Sequence, residues 1–229
     1  MIKRIAQTAG YTGLLAALLL TLLQSLWVSP LILQAETYEN APVAEVHTHA
    51  AHEAEAAHSH DPEAWAPADG WQRLLSTTGA NLVVAVGFAL MLAGLYTLRA
   101  PTRTAEGVLW GLAGFAVCCL APNLGLPPEL PGTAAAELGL RQTWWIATAA
   151  STAVALALLI FGRGWLLKII GGLLLVLPHV VGAPQPEAHH SLAPAALEQQ
   201  FVIASLLTNA VFWLALGLIS AWLYRRSAA

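Results

Sequence analysis

Charge is what this chain has least of. Lysine and arginine number 10 and aspartate and glutamate 13 among 229 residues, against 57% hydrophobic side chains and a mean hydropathy of +0.63. An average soluble domain is about 25% charged; the 10% found here leaves too few polar side chains to cover a water-soluble fold. The surplus apolar area needs lipid. Cysteine is equally scarce: Cys118 and Cys119 are adjacent, which excludes a disulfide framework and a CxxC metal site. The lack of a basic excess argues against nucleic acid as a partner. Neither GxxxxGK[ST] nor GxGxxG occurs, so no nucleotide-driven engine is evident. The apolar stretches hold no nucleophile–base pair, no tight metal triad and no histidines on two facing helices. That argues against an enzyme, an organic cofactor and a bis-histidine haem.

What is present is a series of apolar runs. About 20 residues are needed to cross about 30 Å of hydrocarbon, and stretches near 5–28, 78–98, 107–124, 144–161, 165–182 and 201–224 meet or approach that length. The fifth is the weakest. The expected fold class is an all-α integral membrane protein with six transmembrane helices. It divides into a first transmembrane helix (1–28), an extracytoplasmic loop (29–76) and a five-helix transmembrane region (77–229). Lys3 and Arg4 before an apolar run could also open a signal peptide. No small-x-small cleavage site follows and the run is long, so a retained anchor helix is expected. With both termini cytoplasmic, Lys3, Arg4, Arg99, Arg103, Arg163, Lys168, Arg225 and Arg226 fall inside, and Arg73 and Arg141 outside. That is the asymmetry the positive-inside rule requires.

Small residues recur four apart: Ala9, Gly13 and Ala17; Gly107 and Gly111; Ala149, Ala153 and Ala157; Gly217 and Ala221. In lipid such rows let helix backbones approach. Trp27, Trp71, Trp144, Trp145 and Trp222 lie near span ends, where amphipathic rings anchor at the headgroup level.

The long loop has its own chemistry. Its core carries His47, His49, His52, His58 and His60, interleaved with Glu53, Glu55 and Asp61. Neutral imidazoles and carboxylates together ligate borderline divalent metals, and short His-rich tracts are read as metal-binding for that reason. The spacing suits capture of one or two ions with little selectivity, since imidazole sites hold copper, nickel and zinc at least as well as cobalt. Capture should weaken as pH falls through about 6.5. A plain solvated acidic tether is the competing reading.

Polar residues at membrane depth are costly and often mark a pathway. Gln24, Asn81, Cys118, Cys119, Asn123, His179 and Asn209 map to the outer half or mid-depth, while the cytoplasmic halves read as almost purely aliphatic. His179, Asn81 and Asn123 are the candidate transit ligands. Gln24, Asn81 and Asn209 serve equally well as interhelical hydrogen-bond partners, and the cysteines read more readily as packing.

Several stretches are distinctive in order and spacing. They are Leu31-Ile-Leu-Gln-Ala-Glu36-Thr-Tyr38-Glu39, Ala121-Pro-Asn-Leu-Gly-Leu-Pro127-Pro128-Glu129-Leu-Pro131-Gly132 and Arg141-Gln142-Thr-Trp144-Trp145. Pro178-His179 with Ala183-Pro184, and Phe201-Val-Ile-Ala-Ser205 with Asn209-Ala-Val-Phe-Trp213, complete the set. Over nearly the whole chain they resemble the CbtA family of probable cobalt transporter subunits. The resemblance implies a bacterial inner-membrane subunit for Co²⁺ uptake that supplies cobalamin synthesis, with cobalt as the transported substrate. It also implies a small single-span partner, CbtB. Family positions falling on chemically apt residues are Glu36, Glu39, Glu129, Arg141, Gln142 and His179. Glu129 and Arg141 can also simply pair across the loop they bracket. Two alternatives stand beside uptake: a non-conducting metal-binding subunit that serves a separate permease, and an importer of nickel or zinc. The oligomeric state is open, a homo-oligomer included.

Overall fold

The computed structural model describes residues 1–40 and 67–227. The loop's candidate ligands, His47, His49, His52, His58, His60, Glu53, Glu55 and Asp61, lie outside the described residues. Six helices account for most of the rest: α1 (Ile2–Glu39), α2 (Trp71–Leu98), α3 (Glu106–Asn123), α4 (Leu138–Phe161), α5 (Trp165–Val181) and α6 (Ala195–Arg226). All but α5 are long and apolar enough to cross a membrane. At 17 residues, α5 is about 26 Å long and is the shortest, the element the sequence marks as weakest.

Helix ends follow local chemistry. The Glu137 side chain accepts from the amides of Gly139 and Leu140 at 2.8 and 3.0 Å, occupying donors that the first turn of α4 leaves free. Gly162 closes α4 and Gly164, at φ +144°, opens α5. Only glycine takes that backbone conformation at little cost, so the two helices fold back as the expected hairpin.

Two helices run on past a proline by way of a π turn. α1 continues through Pro30 to Glu39, beyond the boundary near residue 28 expected from sequence, and α2 begins at Trp71. Proline has no N–H and crowds the carbonyl four residues earlier. In α1 the strain is relieved by a π turn at Gln24–Val28, where the Ser29 amide bonds to the Gln24 carbonyl five residues back. α3 repeats the device before Pro122: a π turn at Ala116–Leu120, with Ala121 bonded to Ala116. Each turn ends two residues ahead of its proline. Such turns recur at functional sites.

Helices α1, α2, α3 and α6 form a core, and α4 with α5 forms a hairpin that meets it chiefly through the second half of α3. The core closes on its glycines. Gly13 lies against Val86, Gly107 and Gly217 against each other, and Gly111 against the Trp213 carbonyl; a methyl group at any of them would collide with backbone. Rows 9/13/17, 107/111 and 217/221 are therefore interfaces, as expected. The α4 row is not. Ala153 and Ala157 are exposed, and Thr148, Thr152 and Ala155 are buried instead, with Gly171 of α5 against the Ala155 carbonyl. Trp144 also departs from expectation. It is buried, and its Nε1 donates to the Pro178 carbonyl at 3.3 Å, packing the hairpin rather than anchoring it.

The two ends of the molecule differ in charge. At one, Arg4 Nε donates to the Tyr224 carbonyl at 2.9 Å and Arg225 to Thr104 Oγ1 at 3.1 Å, and the Arg99 guanidinium lies 4.8 Å from the Phe161 ring centre. At the other, Arg73 bridges Glu36 and Asp69, tying the C-terminal end of α1 to the start of α2, and Arg141 meets Glu129 at 2.7 Å. The Glu129–Arg141 pair is the one anticipated across the loop.

Candidate functional site

The sequence candidates occupy four separate places. Asn81 is buried between α1 and α2, where its Nδ2 donates to Gln24 Oε1 at 2.7 Å and to Thr21 Oγ1 at 3.0 Å. This is the interhelical hydrogen-bond reading realised, and Gln24 sits in the first residue of the α1 π turn. Asn209 bonds back to the Ser205 carbonyl of its own helix at 2.9 Å. Cys118 and Cys119 fall inside the α3 π turn and pack against the core around Trp213.

His179 belongs to the hairpin. It is half-buried, edge-on to Trp144 with ring centres 6.0 Å apart, one residue beyond the proline whose carbonyl Trp144 holds. Asn123 closes α3, half-buried, two residues before Gly125, which abuts the same indole. Trp144 thus stands between the end of α3 and the end of α5.

Gly125 also lines a cavity of about 200 Å³. Its walls come from the α3–α4 connection, the α5–α6 connection and the first turns of α4 and α6. Those two connections are joined by the Thr133–Ser191 bridge, with Ala134 N donating to the His190 carbonyl at 2.8 Å. Charged and polar groups on the walls are Glu129, Thr133, Arg141, Gln185, His189 and Glu198. Glu129 and Arg141 offset each other's charge, and the Glu198 carboxylate and the His189 imidazole line the same space. Among the described residues no three His, Cys, Asp or Glu side chains stand close enough to hold a bare metal ion. A cation there would keep water between itself and the walls.

The structure adds groups that hydropathy could not single out. Thr8, Thr12 and Thr208 are 1%, 0% and 1% exposed, yet their hydroxyls have no hydrogen-bond partner. Thr152 in α4 is the fourth such case. Near the basic end, the Tyr96 hydroxyl lies 2.9 Å from Ser220 Oγ, both fully buried. The basic half of the core is thus not purely aliphatic. Its polar groups are few, but they are gathered on the faces of α1, α2 and α6 that meet. Four-residue spacing from Arg4 through Thr8 to Thr12 was the signal available in the sequence.

Long apolar helices that bury their polar groups between them define a multi-pass membrane protein. A family model described as "Probable cobalt transporter subunit (CbtA)" matches residues 2–225, and the chain belongs to that family. It is accordingly a component of cobalt transport, and as a subunit it works with partner proteins. No curated protein and no solved structure matches the chain.

Proposed function

We propose that this protein takes up Co²⁺ across the bacterial inner membrane and supplies cobalamin synthesis. The observation that carries the direction is the charge asymmetry of the two ends. Eight of the ten basic residues, Lys3, Arg4, Arg99, Arg103, Arg163, Lys168, Arg225 and Arg226, map to one end, which the positive-inside rule assigns to the cytoplasm. Six spans with both termini inside then leave the histidine loop outside, between α1 and α2. There it concentrates metal, and the cavity beside Glu129, His189 and Glu198 is the next acidic space on the same side. His179, Asn81 and Asn123 act as weak contacts beyond it. Ligands for conduction must release as readily as they bind, so a tight site is not required. A potential of 100 mV, negative inside, supplies roughly 4.6 kcal/mol for a divalent ion, enough for about a thousandfold accumulation. The partner fits a small single-span subunit of the CbtB type.

A second reading, a metal-binding subunit that feeds a separate permease, draws on the closed apolar packing of Ala16, Phe212 and Leu216 across the core, where no continuous polar path runs. Cellular metal content separates the two. Cells without other cobalt importers would express the chain with and without the small partner, in medium with equimolar cobalt, nickel and zinc. Cobalt should rise with the chain present. No rise in either case overturns the uptake reading, and nickel or zinc rising in its place reassigns the ion. Replacing His47, His49, His52, His58 and His60 by alanine should lower uptake at scarce cobalt and spare it at ample cobalt. Equal loss at both would make the loop part of the path rather than a collector.

A further inference from the structure

We infer that the seam where α1, α2 and α6 meet is the route by which the cation crosses, and that the hydroxyls of Thr8, Thr12 and Thr208 are its oxygen contacts. The inference rests on the uptake reading and adds the path.

Register comes first. The Arg4 guanidinium lies 3.6 Å from the centre of the Tyr224 ring and donates to that residue's carbonyl, fixing the inner end of α1 against α6. The helices run antiparallel, because Val28 at the far end packs in one cluster with Leu197 and Phe201. Counting from Arg4 and Tyr224 at about 1.5 Å per residue brings Thr8 level with Ser220, and Thr21 level with Thr208. On α1, Thr8 and Thr12 follow Arg4 at four-residue intervals, so they share the row that meets α6. On α6 the matching buried row is Thr208, Phe212, Leu216, Ser220 and Tyr224. Ser220 reaches α2 through Tyr96.

Two polar tiers result, about 20 Å apart along the helices. The outer one holds Gln24, Thr21, Asn81 and Thr208, and the inner one Thr8, Ser220 and Tyr96, with Thr12 one turn above. Between them Ala16, Phe212 and Leu216 are at most 1% exposed and form an apolar constriction of the kind that gates by excluding water. The seam is therefore closed in this structure, with polar steps on both sides of the closure.

The unpartnered hydroxyls are the argument for a route rather than packing. A buried hydroxyl without a partner costs about 1–3 kcal/mol, and valine would fill the same space without that cost. Three such groups in one seam are explained by water or an ion that they meet when it opens. Thr152 stands apart in the hairpin. Neutral hydroxyl and amide oxygens bind a hydrated divalent cation weakly and release it, as conduction requires.

The test pairs two substitutions with a labelling experiment. Thr12→Val and Thr208→Val should each cut cobalt uptake at least tenfold while leaving the amount of folded protein unchanged or raising its thermal stability. Thr12→Ser and Thr208→Ser, which keep the hydroxyl, should stay within about twofold of the parent chain. In membranes carrying Thr12→Cys with Cys118→Ser and Cys119→Ser, a small water-soluble thiol reagent should react with Cys at that position. Valine variants that transport normally, or a thiol at position 12 that stays unreactive in membranes able to transport, would overturn the route. If the parent chain moves no cobalt, the uptake reading fails; a reactive thiol then still marks an aqueous seam, and an unreactive one removes the seam as well.

Discussion

The core and the α4–α5 hairpin are both built of apolar helices, yet they are closed by different means. In the core, glycine brings backbone against backbone, as where Gly107 meets Gly217, and polar side chains are buried between the helices. In the hairpin, an indole and one glycine make the contact, and Leu166, Leu173, Val176 and Val180 of α5 remain more than half exposed to the surroundings. With no hydrophobic drive between helices in lipid, close packing and interhelical hydrogen bonds decide which faces stay together. The core has glycine contacts along α1, α3 and α6 and interhelical hydrogen bonds towards both ends. The hairpin has them near Trp144 and Gly171 and is otherwise free to face lipid or a partner. The route proposed above lies in the core, and in that proposal the hairpin lends at most weak contacts such as His179.

The comparison can be broken at four points. The largest effect is expected from Gly217→Val, which drives a side chain into the backbone of Gly107 and Gly111. Overpacking of this kind costs about 3 kcal/mol or more, and little folded protein should survive detergent extraction. Gly172→Val on the hairpin, where a Cβ meets nothing within 4 Å, should leave the melting temperature nearly unchanged. Equal damage from both would erase the contrast. Asn81→Leu comes next: it leaves Gln24 and Thr21 without their donor, and thermal unfolding should report a loss of about 1 kcal/mol. His179→Phe keeps a ring against Trp144, so the fold should hold and uptake at scarce cobalt should fall only a few-fold, less than for Thr12→Val. A larger loss than the threonine variant's would move the path into the hairpin. Smallest is Arg141→Gln, which opens a partly exposed ion pair and should change stability by under about 1 kcal/mol.

Much of the architecture is legible without coordinates because lipid imposes simple constraints. Apolar length located the helices, and basic residues such as Arg4, Arg99 and Arg225 fall at one end. The four-residue glycine rows of α1, α3 and α6 named real interfaces, and the Glu129–Arg141 pair was readable from the loop it brackets. Other features were hidden. The first span is expected to end near residue 28, but a π turn absorbs the missing donor of Pro30 and the helix runs on to Glu39. The Ala149, Ala153 and Ala157 row has the right spacing and faces outward at its last two positions, because alanine is too abundant here for spacing alone to choose a face. Trp144 sits at a span end like the other anchors and points inward. Whether a threonine hydroxyl has found a carbonyl four residues back is a matter of rotamer and neighbour. Thr8 and Thr12 therefore looked like any other small helix residues until their packing was known.

The π turn in α1 has a consequence for phase. One extra residue in a helical turn rotates everything beyond it by about 100°, so α1 presents two different faces along its length. Below the turn, Gly13 and Thr21 look toward α2. Above it, Val28 and Ala35 look toward Leu197 and Phe201 at the start of α6. Deleting a single residue within Gln24–Val28 would restore an even helix and swing Glu36 away from Arg73. The base of the histidine loop would then be re-aimed, although no residue of the loop had been touched.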